Sequence, residues 1–101
     1  MRLGSKIALV TGAGGGLGGA TAIRFAAEGA KVLCSDLDLA KAEKTVSMIE
    51  SRGGTAIAHQ CDVADPAQCN AQVEEAIKCF GQLDVLVNSA GVSLHRLALD
   101  T

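Results

Sequence analysis

Residues 11–19 read Thr11-Gly12-Ala13-Gly14-Gly15-Gly16-Leu17-Gly18-Gly19. An apolar run, Ile7-Ala8-Leu9-Val10, precedes them, and a stretch with helical spacing follows. A glycine-rich turn between a buried strand and a helix has a physical use. Without Cβ atoms, a phosphate group can approach the helix N-terminus, where unpaired N–H groups and the helix dipole favour negative charge. No lysine stands where a nucleoside-triphosphate loop requires Gly-Lys-Ser/Thr, which argues against ATP or GTP hydrolysis. The loop fits several glycine spacings at once: Gly12, Gly16 and Gly18; Gly12, Gly15 and Gly18; or Gly14, Gly16 and Gly19. Its glycines alone therefore do not choose between families.

Outward from the loop, strand and helix alternate. Residues 6–11 read as a strand buried on both faces. Residues 16–28 read as a helix with Leu17, Ala20, Ile23 or Ala27 on its apolar face and Gly29 as its stop. Residues 31–36 form a second strand. Asp38 caps a second helix whose face carries Leu39, Ala42, Val46 and Ile49, and Gly53-Gly54 ends it. Residues 55–61 are a third strand. Asp65-Pro66-Ala67-Gln68 then starts a third helix with an N-cap aspartate, proline at the first position and glutamine at the third. Its face is expected to hold Cys69, Val73, Ala76, Ile77 and Phe80, with Gly81 as the stop. Residues 84–88 form a fourth strand that runs into Ser89-Ala90-Gly91. The order β-α-β-α-β-α-β predicts an α/β fold: a doubly wound parallel sheet of Rossmann type with strand order 3-2-1-4. The first two helices should cover one face and the third the other. All 101 residues are read as the N-terminal part of one nucleotide-binding domain.

Composition agrees. Of the chain, 49% is apolar and 20% charged, which is globular, and a formal net charge of −2 gives no reason to expect nucleic acid or an anionic membrane as partner. No stretch is long enough for a membrane span, and the start does not resemble an export signal, so a cytoplasmic location is expected. Cys34, Cys61, Cys69 and Cys79 form no Cys-x-x-Cys pair and, with His59 and His95, no metal-ligand ladder. They are read as reduced thiols behaving as small hydrophobes, and no metal is expected.

Asp36 ends the second strand, 18 residues beyond Gly18, where a carboxylate can accept hydrogen bonds from the adenosine ribose hydroxyls. The competing reading makes it a loop or capping residue, a task for which Asp38 is better placed. A ribose-binding acid repels a 2′-phosphate, and neither Gly15 nor Leu37 could neutralise one. NAD is therefore expected in preference to NADP.

Three pieces together resemble the short-chain dehydrogenase/reductase family. The loop matches Thr-Gly-x-x-x-Gly-x-Gly through Thr11, Gly12, Gly16 and Gly18. Asp62-Val63 follows the third strand, where the family places an aspartate near the adenine amino group. Asn88-Ser89-Ala90-Gly91 follows the fourth, where the family usually has Asn-Asn-Ala-Gly; Ser89 departs from it. Asn-x-Ala-Gly also argues against the extended branch that acts on sugar nucleotides. The resemblance covers the whole chain and implies cofactor contacts from Gly12, Gly16, Leu17, Gly18, Asp36, Asp62, Val63, Asn88, Ala90 and Gly91. Asn88 also reads, without the family, as a side chain tying strand ends together.

It implies hydride transfer between an alcohol or ketone and a nicotinamide. The family's tyrosine, lysine, serine and second asparagine lie beyond the last motif, and this chain contains no tyrosine. It is therefore expected to carry the cofactor-binding part alone, to be inactive alone, and to form a homo-oligomer only with a C-terminal half. The rival readings are a non-catalytic dinucleotide-binding module or redox sensor, and a methyltransferase using adenosyl-methionine. The Asp62 and Asn88 motifs argue against the last.

Overall fold

The computed structural model describes residues 6–88. Four parallel strands, β1 (Ile7–Thr11), β2 (Lys31–Asp36), β3 (Thr55–Gln60) and β4 (Val85–Asn88), lie in the order β3-β2-β1-β4. Three helices connect them: α1 (Gly16–Ala27), α2 (Leu39–Ser51) and α3 (Pro66–Phe80). This is the expected sheet, with strand limits within one residue of those read from the sequence. Register places Thr11 beside Ser35 on one flank and beside Asn88 on the other. The C-terminal ends of β1, β2 and β4 thus form one edge, continued by Asp36 beside Gln60.

Alternation along the strands divides the core. Ala8, Val10, Val32 and Cys34 face α1 and α2, where they meet Ala22, Ala42 and Ile49. Leu9 and Leu33 face α3 and meet Ala76. The first two helices cover one face and the third the other, as expected. The inner surfaces of the helices differ in detail. In α1 the buried residues are Gly18, Gly19 and Ala22, while Leu17 is 77% exposed. Small residues let this helix lie close to its neighbours, which turns the larger Leu17 outward. In α2, Thr45 joins Ala42 and Ile49 inside, and Leu39 lies outside. In α3 the buried pair is Gln72 and Ala76, and Ile77 is 46% exposed.

Gln72 tolerates burial because the Ser35 hydroxyl donates to its Oε1 at 2.6 Å, and a buried amide oxygen with a partner avoids the desolvation penalty. At the other end of the sheet, the Ile7 N–H donates to Asp84 Oδ2 at 2.8 Å and the Asp84 N–H donates to the Ile7 carbonyl at 2.9 Å. The Ile7 N–H holds the Asp84 carboxyl below the usual carboxylate range, aided by Gln82 and by the nearby Lys6 charge. No helix among the described residues is long and apolar enough to cross a membrane.

Candidate dinucleotide-binding site

The glycine loop is tied down from below. Gly12 (φ 65°) turns the chain out of β1, and Gly16 (φ 56°) turns it into α1; both conformations are disfavoured for residues with a Cβ. Between them, the Ala13 N–H donates to the Ser35 carbonyl at 2.9 Å. The Thr45 hydroxyl donates to the Ala13 carbonyl at 2.6 Å, in the buried interior. The Gly14 N–H donates to Asp36 Oδ2 at 2.8 Å. β2 and α2 therefore fix both polar groups of Ala13 and the amide of Gly14.

Gly14 has a purpose different from the one glycine-richness suggests. A Cβ there would lie 2.6 Å from Asp36 Oδ2 and 2.6 Å from Lys41 Cβ. Its bareness admits the protein's own carboxylate, not a ligand. Gly15 and Gly16 behave as the loop reading requires: a Cβ on either meets nothing within 4 Å. Gly15 is the N-cap of α1 and offers no side-chain cap. The first bond of the helix runs from the Gly19 N–H to the Gly15 carbonyl at 3.1 Å, so the amides of Gly16, Leu17 and Gly18 precede any intrahelical acceptor. Those donors, at the positive end of the helix dipole and unobstructed at Gly15 and Gly16, fit a pyrophosphate.

Asp36 stands where the strand-end reading put it, half-buried, but it also holds the protein together. Besides accepting from Gly14, it accepts the Asp38 N–H through Oδ1 at 2.9 Å. The carboxylate thus organises the loop, as the capping reading has it, and also faces a cavity, as ribose binding requires. Each oxygen keeps a second lone pair for a hydroxyl donor. The cavity, about 210 Å³, is lined by Gly12, Asp36, Leu37, Cys61, Asp62 and Val63. Four of the expected contact residues, from three different strand ends, meet around it.

Asp62 opens the turn that forms its far wall. Asp62 Oδ1 accepts the Ala64 N–H at 2.9 Å, and the Asp62 carbonyl accepts the Asp65 N–H. Asp65 caps α3 by accepting the Ala67 N–H at 3.0 Å. The expected capping box is altered. Gln68 Nε2 donates to the Asp65 side chain, and Gln68 Oε1 accepts the N–H of Asp62 at 2.8 Å. The glutamine thus fastens the Asp62 turn to the helix instead of returning to the Asp65 amide.

On the other flank, the Thr11 hydroxyl lies 3.0 Å from Asn88 Oδ1 and 3.3 Å from the Val87 carbonyl, and shares its proton between them. Asn88 therefore ties the ends of β4 and β1 together. Beside it, Thr11, Val63, Leu86 and Asn88 contribute to a second cavity of about 330 Å³. Val63, 40% exposed, lies on both cavities. Ser89, Ala90 and Gly91 fall outside the described residues.

Sequence reasoning missed Thr45, Gln72 and Asp84. Thr45 carried a usable signal, since it stands three residues after Ala42 and four before Ile49 on the same helical face. Gln72 stands four residues before Ala76 in the same way. Asp84 had none, because its partner is 77 residues away.

The chain is 45% identical over 91 residues to 2,5-dichloro-2,5-cyclohexadiene-1,4-diol dehydrogenase of Sphingobium indicum, covering 90% of this chain and 36% of that protein. It is 42% identical to 7alpha-hydroxysteroid dehydrogenase of Escherichia coli K12, again covering 90% and 36%. Among solved structures, hydroxysteroid dehydrogenase from Escherichia coli superposes with a TM-score of 0.88 at 42% identity, over 90% of this chain and 39% of that one. A metagenomic short-chain oxidoreductase in complex with NADP gives 0.85 at 35% identity, over 91% and 42%. The chain thus spans 36–42% of the length of these proteins. The family model described as short chain dehydrogenase matches residues 6–101, which include the glycine loop, Asp36, the Asp62 turn and Asn88: the chain belongs to the short-chain dehydrogenase family.

Proposed function

We propose that this chain binds NAD(H) and is the cofactor-binding part of an oxidoreductase that interconverts an alcohol and a carbonyl. The observation that carries the reading is the Asp36 carboxylate, oriented by the Gly14 and Asp38 amides at the lip of a cavity closed by Asp62 and Val63. The α1 amides take the pyrophosphate, Asp36 the adenosine ribose hydroxyls, and Asp62 with Val63 the adenine edge. Asn88, Ala90 and Gly91 serve the nicotinamide side. When bound, the nicotinamide supplies hydride transfer; these residues bind and orient it.

NAD is preferred to NADP because a 2′-phosphate would meet a carboxylate whose position is fixed by two backbone amides, with uncharged Leu37 beside it. A short-chain oxidoreductase 35% identical to this chain is in complex with NADP, so NADPH is the competitor against which the preference is measured. The proton-transferring tyrosine of the family has no counterpart among the 101 residues, so the chain alone binds cofactor without turnover. The substrate of the whole protein is a small alcohol or ketone, in keeping with relatives named as dehydrogenases of a cyclic diol and of a hydroxysteroid. Its cysteine usage suits the reducing cytoplasm.

Titration with NADH, followed by fluorescence, tests the reading, together with NADH production from a panel of secondary alcohols. Saturable binding without turnover is expected. Turnover by this chain would contradict the assignment of chemistry to residues outside it, and absence of binding would contradict the site.

A further inference from the structure

Two lysines of α2 edge the outer side of the glycine loop. Lys41, in the first turn of that helix, stands across the gap left at Gly14. One Cβ built on that glycine would lie 2.6 Å from Lys41 Cβ and 2.6 Å from Asp36 Oδ2. The lysine stem and the carboxylate thus flank a space one methyl group wide. Lys44 lines a cavity of about 340 Å³ with Gly14, Gly15 and Gly16. Residues three apart on a helix share a face, and both lysines are exposed. Their flexible four-carbon stems let either ammonium turn toward an anion held at the loop.

Neither charge is engaged within the protein. Among the described residues, the Lys41 and Lys44 ammonium groups form no ion pair, whereas Arg24 is held by Glu28 at 2.9 Å. The two neighbouring acids are bound by backbone. Asp36 accepts from the amides of Gly14 and Asp38, and Asp38 from those of Ala40 and Lys41 at 3.0 and 3.4 Å. The floor of the loop is open, since a Cβ on Gly15 would meet nothing within 4 Å.

We infer that Lys41, seconded by Lys44, is a specificity-determining residue that admits a 2′-phosphate beside Asp36, so that NADPH is a weaker second cofactor and is not excluded. The inference rests on the dinucleotide reading proposed above. A ribose held by its hydroxyls at Asp36 carries its 2′-substituent next to the space that Asp36 shares with Lys41. A phosphate there is repelled by the carboxylate and attracted by the ammonium across the same gap. The carboxylate is fixed by two amides, while the lysine can follow the phosphate, so the attraction adapts and the repulsion does not. NADH has no 2′-phosphate and is indifferent to Lys41. The counter-charge that neither Gly15 nor Leu37 supplies thus comes from α2.

Fluorescence titrations with NADH and NADPH at one salt concentration compare the unaltered chain with Lys41→Gln, Lys41→Gln/Lys44→Gln and Lys31→Gln. Lys31 is exposed at the opposite end of β2, and its replacement changes the net charge equally. Circular dichroism checks that each variant is folded. NADPH affinity should fall about three- to tenfold in Lys41→Gln and further in the double variant. NADH affinity should hold in both, and Lys31→Gln should leave both cofactors unaffected. With NADH still bound, three results would overturn the inference: an unmoved NADH-to-NADPH ratio in Lys41→Gln, an equal shift in Lys31→Gln, or no measurable NADPH binding by the unaltered chain. Absence of NADH binding by the unaltered chain would instead overturn the dinucleotide reading, and this inference with it.

Discussion

The two flanks of the glycine loop are built differently. Toward β2 and α2, both polar groups of Ala13 and the amide of Gly14 have partners, and a single added carbon at Gly14 would collide with Asp36 and Lys41. Toward β4, a Thr11–Asn88 hydrogen bond beside a cavity of about 330 Å³ ties β1 to a strand that is only half-buried throughout. β1 and the middle of β2 are fully buried by comparison. The flank proposed to hold adenosine is thus pre-organised by the protein itself, and ordering costs are met on folding instead of on binding. Affinity should reside there, while the β4 flank tolerates change.

The harshest way to break this contrast is Gly14→Val. It should both overpack the loop and take the Gly14 amide from the Asp36 carboxylate. Overpacking costs about 1–3 kcal/mol, and loss of a hydrogen bond to a charged group about 1.5–3 kcal/mol more. NADH binding should disappear, and the urea midpoint should fall. An unchanged midpoint and affinity in the Gly14→Val variant would mean that the crowding at Asp36 is not real. Gly18→Val, at a buried glycine of α1, should likewise abolish binding by pushing the helix from β1.

Thr45→Val keeps shape and leaves the buried Ala13 carbonyl without its donor. The expected loss is about 1–3 kcal/mol of stability, read as a lower urea midpoint, with weaker NADH binding because the loop is no longer held. On the β4 flank, Asn88→Ala removes a partly buried neutral partner and should cost only about 0.5–1.5 kcal/mol. A larger loss of adenosine-side affinity from Asn88→Ala than from Thr45→Val would invert the comparison.

The smallest effect concerns pH. The Asp84 carboxyl is held below its ordinary value, first by the Ile7 amide. A depressed carboxyl contributes stability that is fully present above its unfolded pKa and is lost as pH falls through the lower folded value. Asp84→Asn should therefore flatten the acid limb of the stability profile below about pH 4, the ordinary carboxyl range, and leave its shape near neutrality unchanged. Urea midpoints measured at a series of acidic pH values would show it.

The sheet was legible because its signals are local. Four apolar runs, glycine stops at Gly29, Gly53 and Gly81, and the Asp-Pro start of α3 each declare an element within a few residues. Asp36 was legible as a strand-end acid. What could not be read was what Asp36 touches, since Gly14 is 22 residues away. The same holds for Thr45 and Ala13, 32 apart, and for Ser35 and Gln72, 37 apart. These pairs depend on how elements stack, which one sequence does not spell out. Helix faces failed where polarity misled: Gln72 is buried because Ser35 satisfies it, and Ile77 lies outside.

The central claim is that a carboxylate fixed at Asp36 selects the unphosphorylated dinucleotide. Its most direct test is the ratio of NADH to NADPH affinity in the unaltered chain and in Asp36→Ala/Leu37→Arg, with folding of both checked by circular dichroism. The unaltered chain should favour NADH. The double variant should move the ratio toward NADPH by about 1–3 kcal/mol, as the ribose bonds to a charged acceptor are lost and an arginine meets the phosphate. Tighter binding of NADPH by the unaltered chain would contradict the claim, and so would an unmoved ratio in a folded double variant.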